Sequence, residues 1–321
     1  MKKVLVFLAL LFPLLAAGQE KYPNRAIRII VPFAPGGASD FVARIMQPRL
    51  GELLGQPIVV ENKPGASGNL GVDAAAKSAP DGYSVFLGNV GSIAINPAVF
   101  ANLAVNPLRD LIAVTQVVDV PSMLIAHPSM PFNDVKGLIA YAKANAGKLN
   151  YASPGSGSLD RLEMETLRRL AGLEMVHVPY KGGAGPAVAG LMGGETQVMF
   201  ATAASAMPAV KGGKAKPLGV TSTVRLEQVP NSPTMVEQGY PDLTASSWQG
   251  LFVPVGTPKE VVEKLHAAGV QTMKTPEVIS RLATGGAFAL TSASPAAFAE
   301  YVAAETRRWA KIAKESNATA D

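Results

Sequence analysis

The sequence runs three times from an apolar stretch into a glycine-rich turn and then into a helical pattern. The turns are PFAPGGASD at residues 32–40, SPGSGSLD at residues 153–160 and PYKGGAG at residues 179–185. Strand, tight turn and helix in this order are typical of α/β folds whose neighbouring strands run parallel. We therefore expect an α/β architecture.

These turns also indicate a chemistry. A helix start presents backbone N–H groups without intrahelical partners and the positive end of the helix dipole, and glycine lets a ligand approach closely. One such turn alone is more often a plain connection between two elements. Three of them, spread over both halves of the chain, favour anion binding by the backbone.

Five residues raise structural questions. In the first helical pattern, Asp40 or Ser39 is a plausible N-cap, and Pro48 is expected to kink or divide the helix. Pro121 is expected to break an otherwise extended stretch. Trp248 begins a later strand and either lines a ligand cleft or packs in the core.

The N-terminal segment carries an export pattern. Lys2 and Lys3 precede an apolar run at residues 4–15, and small residues follow at 16–18. This order predicts a secretory signal peptide over residues 1–18, cleaved after Gly18 or, alternatively, after Ala17. The run is shorter than the ~20 residues that a spanning helix needs.

Cysteine is absent from the sequence. A lipoprotein tether needs a cysteine just after the signal, so we expect a freely diffusing protein in a Gram-negative periplasm, held together by its core rather than by disulfides. Without residues 1–18, 303 of the 321 residues remain. At ~150 residues per domain, that length favours two domains.

The charge excludes one class of partner. Without Lys2 and Lys3, 27 basic and 24 acidic residues leave a net charge of +3, with no concentrated basic stripe. We therefore expect no nucleic-acid partner.

The usual constellations of enzymes are missing as well. The GxxxxGK[ST] and G-x-S-x-G patterns do not occur, and Asp160 stands where a dinucleotide fingerprint needs its third glycine. Glu163 and Glu165, two residues apart on a helix, point to different faces. The histidines lie too far apart for metal-ligand spacing; they are His127, His177 and His266. We expect no catalysis, no metal and no cofactor.

An ordered set of motifs covers nearly the whole chain after the predicted signal. They are IRIIVPFAPGGASD (27–40), VVENKPGASGNLG (59–71), APDGYSVFLGN (79–89), PYKGG (179–183), LGVTS (218–222), SPTMVEQGYP (232–241) and GLFVPVGTP (250–258). With these motifs the chain resembles the Bug receptors, the extracytoplasmic solute-binding proteins of tripartite tricarboxylate transporters.

The resemblance implies a type II periplasmic binding protein fold. Each of two α/β lobes would hold a mixed sheet flanked by helices, with the ligand cleft between the lobes and two crossovers joining them. The first lobe would comprise residues 22–121 plus 248–321, and the second residues 122–247. Such receptors close around a carboxylate, often with backbone amides and water rather than an arginine.

We expect the glycine turns and the strand ends beside them to form the cleft. One wall would contain Phe33, Gly36, Gly37, Ser39 and Asp40, helped by Asn89 and Ser92. The other wall would contain Ser156, Gly157, Ser158, Tyr180, Thr202 and Ala203.

Asp160 departs from the family pattern, because many relatives have histidine there. A carboxylate facing the cleft would repel an anion, so Asp160 either caps its helix or recognises an amino, hydroxyl or amide group of the ligand. The function expected from the resemblance is capture of a small organic acid or related solute by a monomer that delivers it to a tripartite tricarboxylate-type permease. Presentation to a membrane sensor kinase and a periplasmic enzyme are the alternatives.

Overall fold

A computed structural model describes residues 22–315 and 318–319, so the predicted signal at residues 1–18 lies outside the described residues. The strands are β1 (Ile27–Val31), β2 (Ile58–Asn62), β3 (Ser84–Asn89), β4 (Leu111–Ala126), β5 (Asn150–Ser153), β6 (Val176–Pro179), β7 (Val198–Thr202), β8 (Lys216–Val220), β9 (Ser246–Pro254) and β10 (Phe288–Ala289). The α-helices are α1 (Ala38–Leu54), α2 (Asn69–Ala76), α3 (Asn96–Val99), α4 (Pro107–Asp110), α5 (Val135–Ala144), α6 (Leu159–Ala171), α7 (Ala184–Met192), α8 (Ala203–Lys211), α9 (Lys259–Met273), α10 (Pro276–Ala283) and α11 (Pro295–Glu315). Short helical turns lie at Ala66–Gly68, Gly91–Ile95 and Pro241–Leu243.

The strands form two mixed sheets that share β4. The first sheet has the order β2-β1-β3-β9-β4, in which β1 runs parallel to β2 and β3, and β9 is antiparallel to both of its neighbours. In the second sheet β7 pairs with β4, and β5 lies parallel to both β7 and β6. The expected α/β architecture with parallel neighbours is therefore confirmed.

Strand β4 is continuous and changes partners along its length. Residues 111–121 pair with β9, and residues 122–126 pair with β7 on one edge and mostly with β8 on the other. Pro121 does not break the strand as expected, because its missing N–H falls where the β9 ladder ends. We call the parts of the molecule around the first and the second sheet the first and the second lobe. Their division at residues 121 and 247 stays a prediction.

Helix α1 differs from the expectation at its N-cap, and of the two outcomes expected at Pro48, a kink or a division, the division does not occur. Its N-cap is Gly37, in an extended conformation, so Ser39 and Asp40 lie inside the helix. Pro48 does not divide the helix, which continues to Leu54. Tertiary packing offsets the missing hydrogen bond, since Met46 and Leu50 on the same helix are buried in the core.

Trp248 belongs to the core of the first lobe. Its ring is fully buried and meets Phe298 of α11 edge-on at 5.9 Å between centroids. The indole N–H donates to Glu305 Oε2 at 3.1 Å, and Trp309 donates to the same oxygen at 2.9 Å. The indole therefore anchors α11 to β9 and does not line the cleft.

Candidate ligand-binding cleft

A cavity of about 40 Å³ lies between the two lobes, and we call it the inner cavity. Glycine, serine and small apolar residues from both lobes form most of its wall. The lining residues are Phe33, Gly37, Ala38, Ser39, Ser67, Asn89, Val90, Gly91, Pro154, Gly157, Ser158, Leu159, Asp160, Ala184, Thr202 and Ser247. Among the described residues of this lining, Asp160 is the one with an acidic or basic side chain.

Several helices begin at the wall of the inner cavity. Helix α1 contributes Ala38 and Ser39 from its first turn, and α6 contributes Leu159 and Asp160. Helix α7 begins at Ala184, which also lines the cavity. The first N–H groups of a helix have no intrahelical acceptor, and the dipole adds positive potential there. The wall therefore attracts negative charge without a lysine or arginine.

The lobes touch each other around this cavity. The Ala34 N–H donates to the Gly182 carbonyl oxygen at 2.9 Å, and the Ala38 N–H donates to Ser205 Oγ at 2.9 Å. Close packing accompanies these bonds, because a Cβ atom built on Gly157 would lie 1.8 Å from Asn96 Oδ1. The structure thus shows the lobes in a closed arrangement.

A second space adjoins the inner cavity. This outer pocket, about 310 Å³, shares three residues with it, Phe33, Ser67 and Pro154. Lys181 supplies its cationic side chain, and Tyr180 and Ser156 also line it. The outer pocket therefore extends the same cleft.

The structure brings eight of the predicted site residues to the inner cavity. They are Phe33, Gly37, Ser39, Asn89, Gly157, Ser158, Asp160 and Thr202. Two more, Ser156 and Tyr180, lie in the outer pocket. The remaining four line neither space: Gly36, Asp40, Ser92 and Ala203.

Two of these four support residues of the wall. Ser92 is buried behind Asn89, whose Oδ1 accepts from the Ser92 N–H at 2.9 Å, and Ser92 Oγ accepts from the Asn89 N–H at 3.1 Å. Ala203 is fully buried in the core, next to Thr202. Their positions fit a supporting role rather than direct contact with a ligand.

Asp40 and Gly36 form a structural unit outside the cavity. The Asp40 carboxylate accepts from Arg44 Nε at 3.0 Å, from Asn62 Nδ2 at 3.1 Å and from the Gly36 N–H at 3.2 Å. Burial opposes ionisation, but the bonds from these three groups hold the pKa of Asp40 below its usual value. The carboxylate is thus satisfied within its own lobe.

Half of the lining of the inner cavity is absent from the predicted set. These residues are Ala38, Ser67, Val90, Gly91, Pro154, Leu159, Ala184 and Ser247. The sequence could have indicated Ser247 as a lining residue. Side chains alternate along a strand, so Ser247 points to the face opposite its large apolar neighbour Trp248. The sequence gives no such indication for Ser67, since it reaches the cavity from a left-handed backbone conformation (φ 54°) inside a glycine-rich loop.

Asp160 does not cap α6. Ser158 occupies the N-cap, and its Oγ accepts from the Arg161 N–H at 3.2 Å. Asp160 belongs to the lining of the inner cavity, and its Oδ1 accepts from Ser122 Oγ at 3.3 Å. Burial raises the pKa of Asp160 to about 7, and the hydrogen bond from Ser122 opposes that rise.

Glu163 lies one turn further along α6 and is also buried. Neither of its carboxyl oxygens has a hydrogen-bond partner. Burial, followed by the nearby Asp160, raises the pKa of Glu163 well above its usual value. This shift favours the protonated form of Glu163, which places no like charge behind Asp160.

Residues 22–315 and 318–319 contain neither a candidate metal site nor a candidate membrane-spanning helix. No group of three or more histidine, aspartate or glutamate side chains there could hold a metal ion. No helix in the same part of the chain is long and apolar enough to cross a membrane.

The receptors of the tripartite tricarboxylate transporter family have a sequence pattern that matches residues 42–318 of this chain. The chain belongs to this family. It is a Bug-type receptor with the two-lobed α/β fold of periplasmic binding proteins, and members of the family bind solutes rather than catalyse reactions.

Three solved structures resemble this receptor closely. The periplasmic binding protein BugD is 34% identical, with a TM-score of 0.88 over 94% of this chain and 100% of BugD. MatC from Rhodopseudomonas palustris, solved with bound malate, is 34% identical, with a TM-score of 0.85 over 91% of this chain and 99% of MatC. Rpa4515 from R. palustris, solved with adipate, is 31% identical, with a TM-score of 0.90 over 94% of this chain and 100% of Rpa4515.

Proposed function

We propose that this receptor captures a small carboxylate in the periplasm by closing its lobes, and delivers it to a tripartite tricarboxylate-type permease. The observation that carries the proposal is the inner cavity, where helices of both lobes begin around one space. Backbone N–H groups and hydroxyls can replace the water around a carboxylate there. Malate and adipate, bound by the two relatives, are both carboxylates.

Closure follows from the same geometry. A ligand held by N–H groups of α1 and of α6 contacts both lobes, so it favours the closed form over the open form. Strand β4 passes from the first lobe to the second, and the chain returns to the first lobe just before β9. We propose that both connections bend during closure. Thr221 links this region, because its Oγ1 accepts from the Ser122 N–H at 2.8 Å and donates to the Ala245 carbonyl oxygen.

The ligand-contacting residues we propose are those of the inner cavity, with Ser156 and Tyr180 meeting the outer part of a longer solute. The Tyr180 hydroxyl donates to Glu195 Oε2 at 2.7 Å, which fixes the ring at the edge of the outer pocket. Membership of the family supports delivery to a permease. A monomer matches the proposed mechanism, because one chain supplies both walls.

The first prediction concerns the class of ligand. Purified mature protein should gain thermal stability from at least one small carboxylic acid, and not from the matching amide. A ligand at 100 times its dissociation constant contributes about 2.7 kcal/mol of stability. The measurement is a thermal-shift screen of acids of two to six carbons, each paired with its uncharged amide. Equal shifts with acid and amide, or no shift with any acid, would contradict carboxylate capture.

The alternative function, in which the receptor presents its ligand to a sensor kinase, leads to a different expected phenotype. A strain lacking the permease but retaining the receptor would then still respond to the ligand with altered gene expression. If the receptor acts in uptake, the same deletion stops growth on the ligand.

A further inference from the structure

We propose that Asp160 receives a protonated amine of the ligand, so that the solute is a small carboxylic acid that also carries an amino group. This inference rests on the proposed function and names the chemistry of the second ligand group. It starts from the position of Asp160, the charged side chain in the lining of the inner cavity.

The surroundings of Asp160 favour its role as an anionic acceptor. Ser158 already caps α6, so the Asp160 carboxylate is not needed there. Ser122 Oγ donates to Asp160 Oδ1, and a hydrogen bond donated to a carboxylate stabilises its charged form. Glu163 is buried behind it, and neither of its carboxyl oxygens has a hydrogen-bond partner, which favours the uncharged form of Glu163.

The ionisable groups on neighbouring elements are engaged elsewhere. On β5 and α6, the Tyr151 hydroxyl donates to Glu165, and Glu165 also pairs with Arg168 at 2.8 Å. On β6, His177 stacks on Tyr151, and its Nε2 lies 2.7 Å from Ser153 Oγ.

Arg161 is the remaining cation near the start of α6. Its Nη1 donates to the Ser156 carbonyl oxygen at 3.0 Å and to that of Thr319 at 2.8 Å. From β4 and β7, the groups nearest the cavity are the hydroxyls of Ser122 and Thr202. No lysine or arginine among the described residues forms a hydrogen bond or ion pair with Asp160, so a cationic group of the ligand would supply the missing charge.

A carboxyl is also a poor choice for binding a second ligand carboxylate. The wall already holds hydroxyl and amide donors that bind an anion without first taking up a proton, among them Ser39, Asn89 and Thr202. The distinct contribution of a carboxylate is to accept hydrogen bonds from a cationic group. An amino acid would place its carboxylate at the helix starts and its ammonium group at Asp160.

The test uses matched acids that differ in one substituent. Isothermal titration of the mature protein compares the amino, hydroxy and unsubstituted acids of each carbon skeleton, such as aspartate, malate and succinate, or alanine, lactate and propionate, over two to six carbons. We expect the tightest ligand to be an amino acid that binds at least tenfold more tightly than its hydroxy and unsubstituted counterparts. Tightest binding of an acid without an amine would overturn the inference and leave carboxylate capture intact. If no acid of any set binds, the proposed function itself fails.

Two variants separate the roles of the buried carboxyls. Asp160→Asn should remove the preference for the amino acid, and Glu163→Gln should keep it. An unchanged preference in folded Asp160→Asn protein would overturn the inference.

If Asp160→Asn protein does not fold, the pH dependence of ligand affinity in the wild-type protein tests the inference instead. An ammonium group binds the ionised form of Asp160, whose pKa is about 7, so affinity should rise between pH 6 and pH 8. Affinity that falls over this range would show that Asp160 donates a proton to a ligand carboxylate instead, and would overturn the inference.

Discussion

Replacing Gly157 by alanine should weaken ligand binding by about 100-fold without lowering the stability of the ligand-free protein, because the closed form would become inaccessible. The added Cβ would lie 1.8 Å from Asn96 Oδ1 and 3.1 Å from the Phe100 ring. Asn96 cannot move aside easily, since it is fully buried and its Nδ2 donates to the Ser67 carbonyl oxygen and to Asn69 Oδ1. Opening the lobes relieves the clash.

Isothermal titration gives the affinity, and X-ray scattering with saturating ligand shows whether the protein still becomes more compact. Gly193→Ala is the matched control, because Gly193 is exposed at the end of α7 and an added Cβ meets backbone oxygens at 3.5 Å or more. If Gly157→Ala protein binds the ligand as tightly as the wild type, ligand binding does not require the close approach of Gly157 to Asn96.

Replacing Trp248 by alanine should lower the free energy of unfolding by about 3–5 kcal/mol, the range for a large buried aromatic. The change removes a fully buried ring that contacts Phe298 and Tyr301 and leaves Glu305 with one fewer donor. Urea denaturation measures the loss. In the control Phe288→Ala, the ring is half exposed and the loss should stay below about 1 kcal/mol. A comparable loss in both variants would mean that the Trp248 indole is no better packed than a surface ring.

Local signals predicted most of the fold. Strand ends such as PFAPGG carry the turn chemistry themselves, so β1 and the start of α1 followed from neighbouring residues alone. Pro121 misled the prediction because the fate of a proline in a strand depends on which strands pair beside it. That information is held by β7, β8 and β9, far along the chain.

The site was predictable only in outline, for a similar reason. The glycine turns indicated which segments approach the cavity, but not which side chains of each turn face it. For Asp40 the sequence did indicate a structural role. Arg44 stands four residues later on the same helix, and this spacing allows the two side chains to form an ion pair. The place of Asp160 in the wall, with Glu163 buried behind it, depends on how α6 packs on β7, which spacing along the sequence does not specify.

The position of β9 has a consequence for the order in which the protein is made. This strand lies between β3 and β4, yet it ends at residue 254 of 321. Until that residue has left the ribosome, β3 keeps an unpaired edge, and the sheet of the first lobe cannot be completed. Folding through such distant pairings is slow, so the growing chain stays without its central sheet while most of its length is synthesised. For the exported chain that we propose, this delay would favour threading across the membrane before folding.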